Sequence, residues 1–147
     1  MKKREIFLVM VSCLMSVSLV MASCTTPKTT PAPDTTVPMV SNTNIANFAT
    51  GVPVNTKVSA SFSEAMDPLT LTAATFTLMQ GANPFSGAGP VSGIVTYTGV
   101  AATFTPNVAL IPNTEYTATI TTGAKDLAGN ALASPYTWKW TTAKGPY

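Results

Sequence analysis

Histidine is absent from all 147 residues, and charged side chains make up only 10% of them. Without histidine there are no imidazole bases, no Ser-His-Asp triads and none of the commonest transition-metal ligands. The charged fraction is far below the usual level of about 25%, and after Arg4 no two basic residues lie closer than Lys139 and Lys144. Nucleic acid is therefore not an expected partner. No group is poised to move protons near neutral pH, so we predict that the protein is not an enzyme.

Cysteine is also scarce: only Cys13 and Cys24 occur, so the chain after Cys24 has no disulfide and no thiolate metal site. The N-terminus pairs a basic stretch, 1–4, with an apolar run, 6–21. That run falls short of the roughly 20 residues that cross a bilayer, and polar sequence follows it. Residues 1–23 are therefore predicted to be a secretory signal peptide.

The end of this signal peptide, Met21-Ala-Ser-Cys24, resembles a bacterial lipobox, whose cysteine is acylated. The resemblance implies a lipoprotein anchored to the membrane through Cys24, since several acyl chains, such as palmitate, hold a protein stably. Thr25 is not the aspartate of an inner-membrane retention signal, so an outer membrane is favoured where the cell has one. Residues 24–37 are rich in Pro and Thr and are predicted to form a disordered, extended tether in the cell envelope.

From Pro38 onward, apolar and polar residues alternate in short segments, as they do in half-buried strands. Val58, Ala60 and Phe62 form the clearest apolar face, and Met66 is placed to fold back over the end of the sheet. We predict an all-β, seven-stranded sandwich over 38–147, without helices longer than one turn. The predicted strands are 40–45, 57–63, 75–79, 91–98, 102–104, 115–121 and 136–141, with 50–55 as a turn.

Six short motifs between Pro38 and Ala143 occur in the order and spacing of a known family. They are Val52-Pro-Val-Asn-Thr56, Phe62-Ser-Glu-Ala-Met-Asp67, Phe104-Thr-Pro106, Pro112-Asn-Thr-Glu-Tyr116, Lys125-Asp-Leu-Ala-Gly-Asn130 and Trp140-Thr-Thr142. They resemble the bacterial Ig-like domain first named from S-layer proteins. The resemblance implies a seven-stranded immunoglobulin-like sandwich of the kind used as a building block in surface-layer proteins and adhesins. We predict a structural or adhesive role for it, with a surface protein or a polysaccharide as the candidate partner.

Aromatic residues are expected to serve the core. Residues 110–116 read like a tyrosine corner, in which the Tyr116 hydroxyl returns to the backbone upstream, although an ordinary core tyrosine would fit too. Tyr136, Trp138 and Trp140 alternate with polar residues and are assigned to the buried face. An exposed tryptophan would instead favour a glycan-binding module.

Two candidate sites remain. Glu64 and Asp67 are the only close carboxylates, but they share one tight turn, so an acid–base pair is rejected. Together with Asp126 and Asn130 they offer oxygen ligands for Ca²⁺, the one cofactor considered; the alternative is that Asp126 simply caps its own turn. Phe85, in a glycine-rich loop, could be a contact tip or could pack back onto its sheet.

Overall fold

The structure of the protein is a computed structural model that describes residues 31–81 and 87–145. Its residues from Pro33 onward form one compact unit. The described chain contains nine strands and one short 3₁₀ helix. In order they are β1 Val40–Thr43, β2 Ala49–Val52, β3 Val58–Phe62, the 3₁₀ helix Pro68–Thr70, β4 Phe76–Gln80, β5 Gly89–Pro90, β6 Gly93–Thr98, β7 Ala101–Pro106, β8 Glu115–Ile120 and β9 Tyr136–Thr142.

The strands form two sheets. The four-stranded sheet has the order β1-β3-β7-β6, and the five-stranded sheet has the order β2-β9-β8-β4-β5. All neighbours are antiparallel except β2 and β9, which are parallel. The all-β, immunoglobulin-like sandwich predicted from the sequence is therefore confirmed, with nine strands rather than seven.

One extra strand corrects the turn predicted at 50–55. Ala49 pairs with Trp140 and Val52 with Thr142, so β2 forms a parallel edge beside β9. The sequence pattern did not predict this strand, because its pairing partner β9 lies some 90 residues further along the chain. Its register also shifts, with Gly51 at a φ of +70°, so its residues do not alternate regularly. The other extra strand, β5, has only two residues, too few to show an alternating pattern.

Helix is confined, within the described residues, to the 3₁₀ turn Pro68–Thr70, in agreement with the predicted absence of longer helices. The Asp67 side chain caps this turn by accepting a hydrogen bond from the backbone N–H of Leu69 at 2.9 Å. No helix in 31–81 or 87–145 has the length and apolar character needed to span a membrane.

The core lies between the two sheets and is built from the alternating residues. In β3, Val58, Ala60 and Phe62 are buried as predicted. Across the interior, the Phe76 ring of one sheet lies 5.9 Å from the Phe104 ring of the other and 5.9 Å from the Trp138 ring beside it. Such aromatic contacts stabilise a core beyond the area they bury.

The turn after β3 brings the candidate site together. Met66 is buried, as predicted, and its backbone N–H donates to the Tyr97 hydroxyl at 2.7 Å. Met66 also forms an antiparallel bridge with Asp126, and the Asp67 N–H donates to the carbonyl of Lys125 at 2.8 Å. These bonds hold the β3–β4 connection against the β8–β9 connection, so carboxylates distant in sequence become neighbours.

Candidate functional site

Three carboxylates meet where these connections touch. One oxygen each from Asp34, Glu64 and Asp126 lies within 4.8 Å of the other two. Asp126 is buried, Glu64 half-buried and Asp34 exposed. Because three negative charges at this separation repel one another, the cluster favours a bound proton or a cation.

Asp126 is held by its own turn. Its Oδ1 accepts hydrogen bonds from the N–H groups of Ala128, at 2.8 Å, and Asn130, at 2.7 Å, while Oδ2 accepts from the Asn130 side-chain amide at 2.8 Å. Burial alone would raise the pKa of the Asp126 carboxyl, but these hydrogen bonds outweigh burial and lower its pKa below the usual value. Asp126 therefore keeps its negative charge more readily than an ordinary aspartate.

Glu64 is its counterpart. Burial, followed by the charges of Asp126 and Asp34 and a hydrogen bond to Asp126, raises the pKa of the Glu64 carboxyl above its ordinary value. Within the described part of the chain its Oε1 is buried and has no hydrogen-bond partner. Glu64 thus takes up a proton more readily than a solvent-exposed glutamate.

The calcium set predicted from the sequence is only partly assembled. Glu64 and Asp126 are together, and the Asn130 amide bonds both Asp126 and, at 3.2 Å, the backbone carbonyl of Asp34. Asp67 is not in the carboxylate cluster, since it caps the 3₁₀ turn, and Asp34 takes its place. The hydrogen bonds of Asp126 match the capped-turn alternative, and calcium binding stays a prediction.

Tyr116 has the geometry of a tyrosine corner. Its side chain is 1% exposed, and its hydroxyl accepts a hydrogen bond from the Ile111 N–H, five residues upstream, at 2.8 Å. The ring stacks against Trp140 with centroids 6.3 Å apart. Burial raises the pKa of the Tyr116 hydroxyl, although the bond from Ile111 opposes the shift. The residue ties the loop before β8 to the sandwich.

The tryptophans lie inside. Trp138 and Trp140 are each 1% exposed, so neither offers a surface platform for sugars. Tyr136 was assigned to the same buried face, but it is 38% exposed, because it opens β9 at the rim of the sheet, where its ring covers that of Trp138 at 5.6 Å.

An exposed aromatic that the sequence analysis missed is Phe48. It lies just before β2, is 68% exposed and has a φ of +64°, a left-handed conformation unusual for a bulky residue. Its N–H donates to the Lys139 carbonyl at 2.6 Å, and the Lys139 ammonium lies 5.4 Å from its ring centroid. Phe48 stands between Asn47 and Ala49, where apolar and polar residues do not alternate regularly, so the sequence gives no strand signal that would single it out. The predicted contact residue Phe85 and the predicted lipidation site Cys24 lie outside the described residues.

Comparison with known proteins gives both a family and a set of similar folds. The model of the family described as the bacterial Ig-like domain matches residues 34–142. Among solved structures, the chain is similar to the S-layer protein rSbsC(31-844), with a TM-score of 0.53, 20% identity and coverage of 76% of this chain and 14% of that one. It is also similar to the N-terminal part of the bacterial S-layer protein SbsC, with a TM-score of 0.54, 20% identity and coverage of 76% and 24%.

A third similar structure is PcoC, a copper resistance protein from Escherichia coli, with a TM-score of 0.56, 14% identity and coverage of 71% of this chain and 98% of that one. Comparison with curated proteins gives no significant match. The chain spans less than a quarter of the length of the S-layer chains, and at these identities the likeness concerns the fold. The family model, however, covers well over half of the chain and confirms the resemblance seen in its motifs. The chain therefore belongs to the bacterial Ig-like domain family.

Proposed function

We propose that the protein is a cell-envelope lipoprotein that presents a single Ig-like module in a structural or protein-interaction role. The observation that carries the proposal is the family match over 34–142, which begins ten residues after the lipobox-like cysteine, Cys24. A module of this family placed directly behind a lipidation motif is suited to contacting other surfaces near a membrane. The proposal includes adhesion as one form of such contact.

The tether sets how far the module stands from the membrane. The compact unit begins at Pro33, so residues 33–37 of the predicted tether belong to the module, and nine residues, 24–32, are left to link it to the anchor. At about 3.1 Å per residue, an extended Pro-rich segment of this length reaches about 30 Å. The module would then lie close to the bilayer, within the cell envelope.

The packing of the sandwich supports a role through its surface. The space between the sheets is filled by large side chains, among them Trp138, Trp140, Phe76 and Phe104, all nearly inaccessible to solvent. Ligand sites are usually concave and lined by a few convergent polar groups. Here the filled interior stabilises the fold, and contacts with partners would be made by the sheet edges, the outer faces and the loops. We propose no catalytic activity for the protein.

The anchor is tested by replacing Cys24. In Cys24→Ala, the protein should no longer incorporate a labelled fatty acid and should leave the membrane fraction or accumulate as the unprocessed precursor. Cys13→Ala is the matched control, because it removes the other cysteine, which lies within the predicted signal peptide. Equal labelling and equal fractionation of the two variants would contradict a lipid anchor at Cys24.

A glycan-binding role is the second candidate, and Phe48 favours it. Residues held in strained backbone conformations cluster at functional sites, and Phe48 combines such a conformation with an exposed ring. In Phe48→Asn the ring is lost while the left-handed conformation is tolerated. Binding to insoluble envelope polysaccharides should fall in this variant and not in Val108→Asn, a change at another exposed apolar residue. No retention of the parent chain by any polysaccharide would exclude this candidate.

A further inference from the structure

The four sheet edges of the described chain differ in how well they are protected. The β1 and β2 edges each have a register shift, and β2 contains Gly51 in the left-handed region. The β5 edge has two residues and ends in Pro90. Strand β6, in contrast, pairs with β7 over six consecutive residues without a shift. Bulges, proline and short length are the usual means of blocking edge pairing, and β6 has none of them.

The hydrogen-bond alternation shows which groups of β6 face outward. Just beyond its start, the Asn107 N–H donates to the Ser92 carbonyl at 3.0 Å, so 92 and 107 form a hydrogen-bonded pair. Alternate residues of an antiparallel strand bond the same neighbour, so Gly93, Val95 and Tyr97 direct their N–H and C=O groups away from β7. The residue paired with Gly93 is a proline, which has no N–H and agrees with this alternation.

The β6 edge also lacks charge. Its sequence, Gly-Ile-Val-Thr-Tyr-Thr, is rich in strand-forming residues, and no charged side chain occurs anywhere in 91–114. Ile94, on the outer face of the strand, is 63% exposed. Natural edge strands commonly carry a lysine or another charge that prevents pairing with a second chain. This edge therefore offers a regular, neutral row of backbone donors and acceptors.

We propose that β6 is a self-association surface, where β6 of a second copy of this chain adds antiparallel across a two-fold axis at Val95. In this register Val95 lies opposite Val95 of the second copy, and Gly93 lies opposite Tyr97. The two-fold axis repeats the Gly93–Tyr97 pair, so there are three pairs in all, and each exchanges two hydrogen bonds. The four-stranded sheets of the two copies thereby join into one continuous sheet.

A second copy is the occupant because the neutral edge has no charge to complement a charged peptide, whereas two-fold pairing satisfies the outward groups of both edges at once. On the outer face, Ile94 of each copy packs against Thr96 of the other copy. The inference goes beyond the proposed function, since it concerns a contact that this chain makes with itself whether or not Cys24 is acylated.

Sedimentation equilibrium of the purified full-length chain over a range of concentrations tests the proposal. The parent should show a reversible monomer–dimer equilibrium. Thr96→Lys should weaken the dimer at least about tenfold, because each lysine would lie against Ile94 of the second copy and near the other lysine. Thr50→Lys, the same change at an exposed position of the β2 edge, should leave the dissociation constant unchanged.

Hydrogen exchange tests the register. The amides of Gly93, Val95 and Tyr97 should gain protection as the protein concentration rises, whereas those of Ile94 and Thr96, which bond β7, should be protected at every concentration. Val95→Pro removes one outward N–H and should weaken the dimer as Thr96→Lys does. A chain that stays monomeric to about millimolar concentration, equal dimerisation of Thr96→Lys and Thr50→Lys, or concentration-independent exchange would each overturn the proposal.

Discussion

Tyr116→Phe removes one oxygen atom from the sandwich and leaves the rest of its packing in place. The lost hydroxyl accepts the Ile111 N–H at 2.8 Å and donates a longer bond, 3.4 Å, to the Gln80 side-chain oxygen. The ring that remains can still stack on Trp140. The substitution therefore isolates the hydrogen bond that fixes the loop before β8.

The expected cost follows from leaving the Ile111 N–H without its acceptor. A buried donor or acceptor deprived of its partner costs about 1–3 kcal/mol. Because this bond is only partly buried, we expect a loss of about 1–2 kcal/mol. The entropy of unfolding is about 2.1 cal/mol/K per residue. For a domain of about 110 residues, the melting temperature should therefore fall by about 4–9 °C.

Chemical and thermal denaturation of the full-length chain, followed by tryptophan fluorescence, measure this loss. Tyr136→Phe is the matched control, because that ring is 38% exposed at the start of β9, and its melting temperature should change by less than about 2 °C. An unchanged midpoint in Tyr116→Phe, or equal shifts in both variants, would refute the assignment of a tyrosine corner.

Three further predictions concern packing, charge and calcium. Gly93→Ala should destabilise the fold by about 1–3 kcal/mol, because a Cβ there would collide with the Phe104 ring, whereas Gly89→Ala, where a Cβ meets nothing, should be near neutral in the same denaturation assay. The raised pKa of Glu64 means that the folded chain binds a proton on this carboxyl more tightly than the unfolded chain does. The bound proton therefore stabilises the fold at low pH, and this stabilisation is lost as the pH rises through the pKa of Glu64 in the folded chain. Glu64→Gln, whose amide can still donate to Asp126, should therefore melt higher than the parent near pH 7 and equally near pH 4, and the reverse order would contradict the raised pKa. If the calcium prediction holds, added Ca²⁺ raises the melting temperature of the parent more than that of Glu64→Gln.

The local sequence pattern was sufficient to predict which side chains are buried where apolar and polar residues alternate regularly along a strand. The faces of β3 and the burial of Trp138 and Trp140 follow from a period of two, because one face of each strand must leave water. Turn chemistry was equally informative at 110–116 and 126–130, where short polar motifs bond the backbone close by. Four of the six family motifs overlap these segments, so the fold could be predicted from them.

The carboxylate cluster could not be predicted in full, because it depends on contacts between distant segments. Asp34 precedes Glu64 by 30 residues and Asp126 by 92, and it lies in a stretch that reads as tether. Asp67 was predicted to be a calcium ligand because it is close to Glu64 in sequence, but its side chain caps the 3₁₀ turn instead. Likewise, β2 forms only because it pairs with β9, which lies near the far end of the chain. The exposure of the Phe48 ring depends on the left-handed backbone conformation of the residue just before β2.

Anchoring of the Ig-like module through Cys24 is tested most directly by the mass of the mature protein isolated from its native cells. We predict an N-terminal peptide that begins at Cys24, lacks residues 1–23 and carries the added mass of a diacylglyceryl group and of any further acyl chain. A mature protein with an unmodified Cys24, or one that begins at another residue, would contradict the proposed envelope lipoprotein.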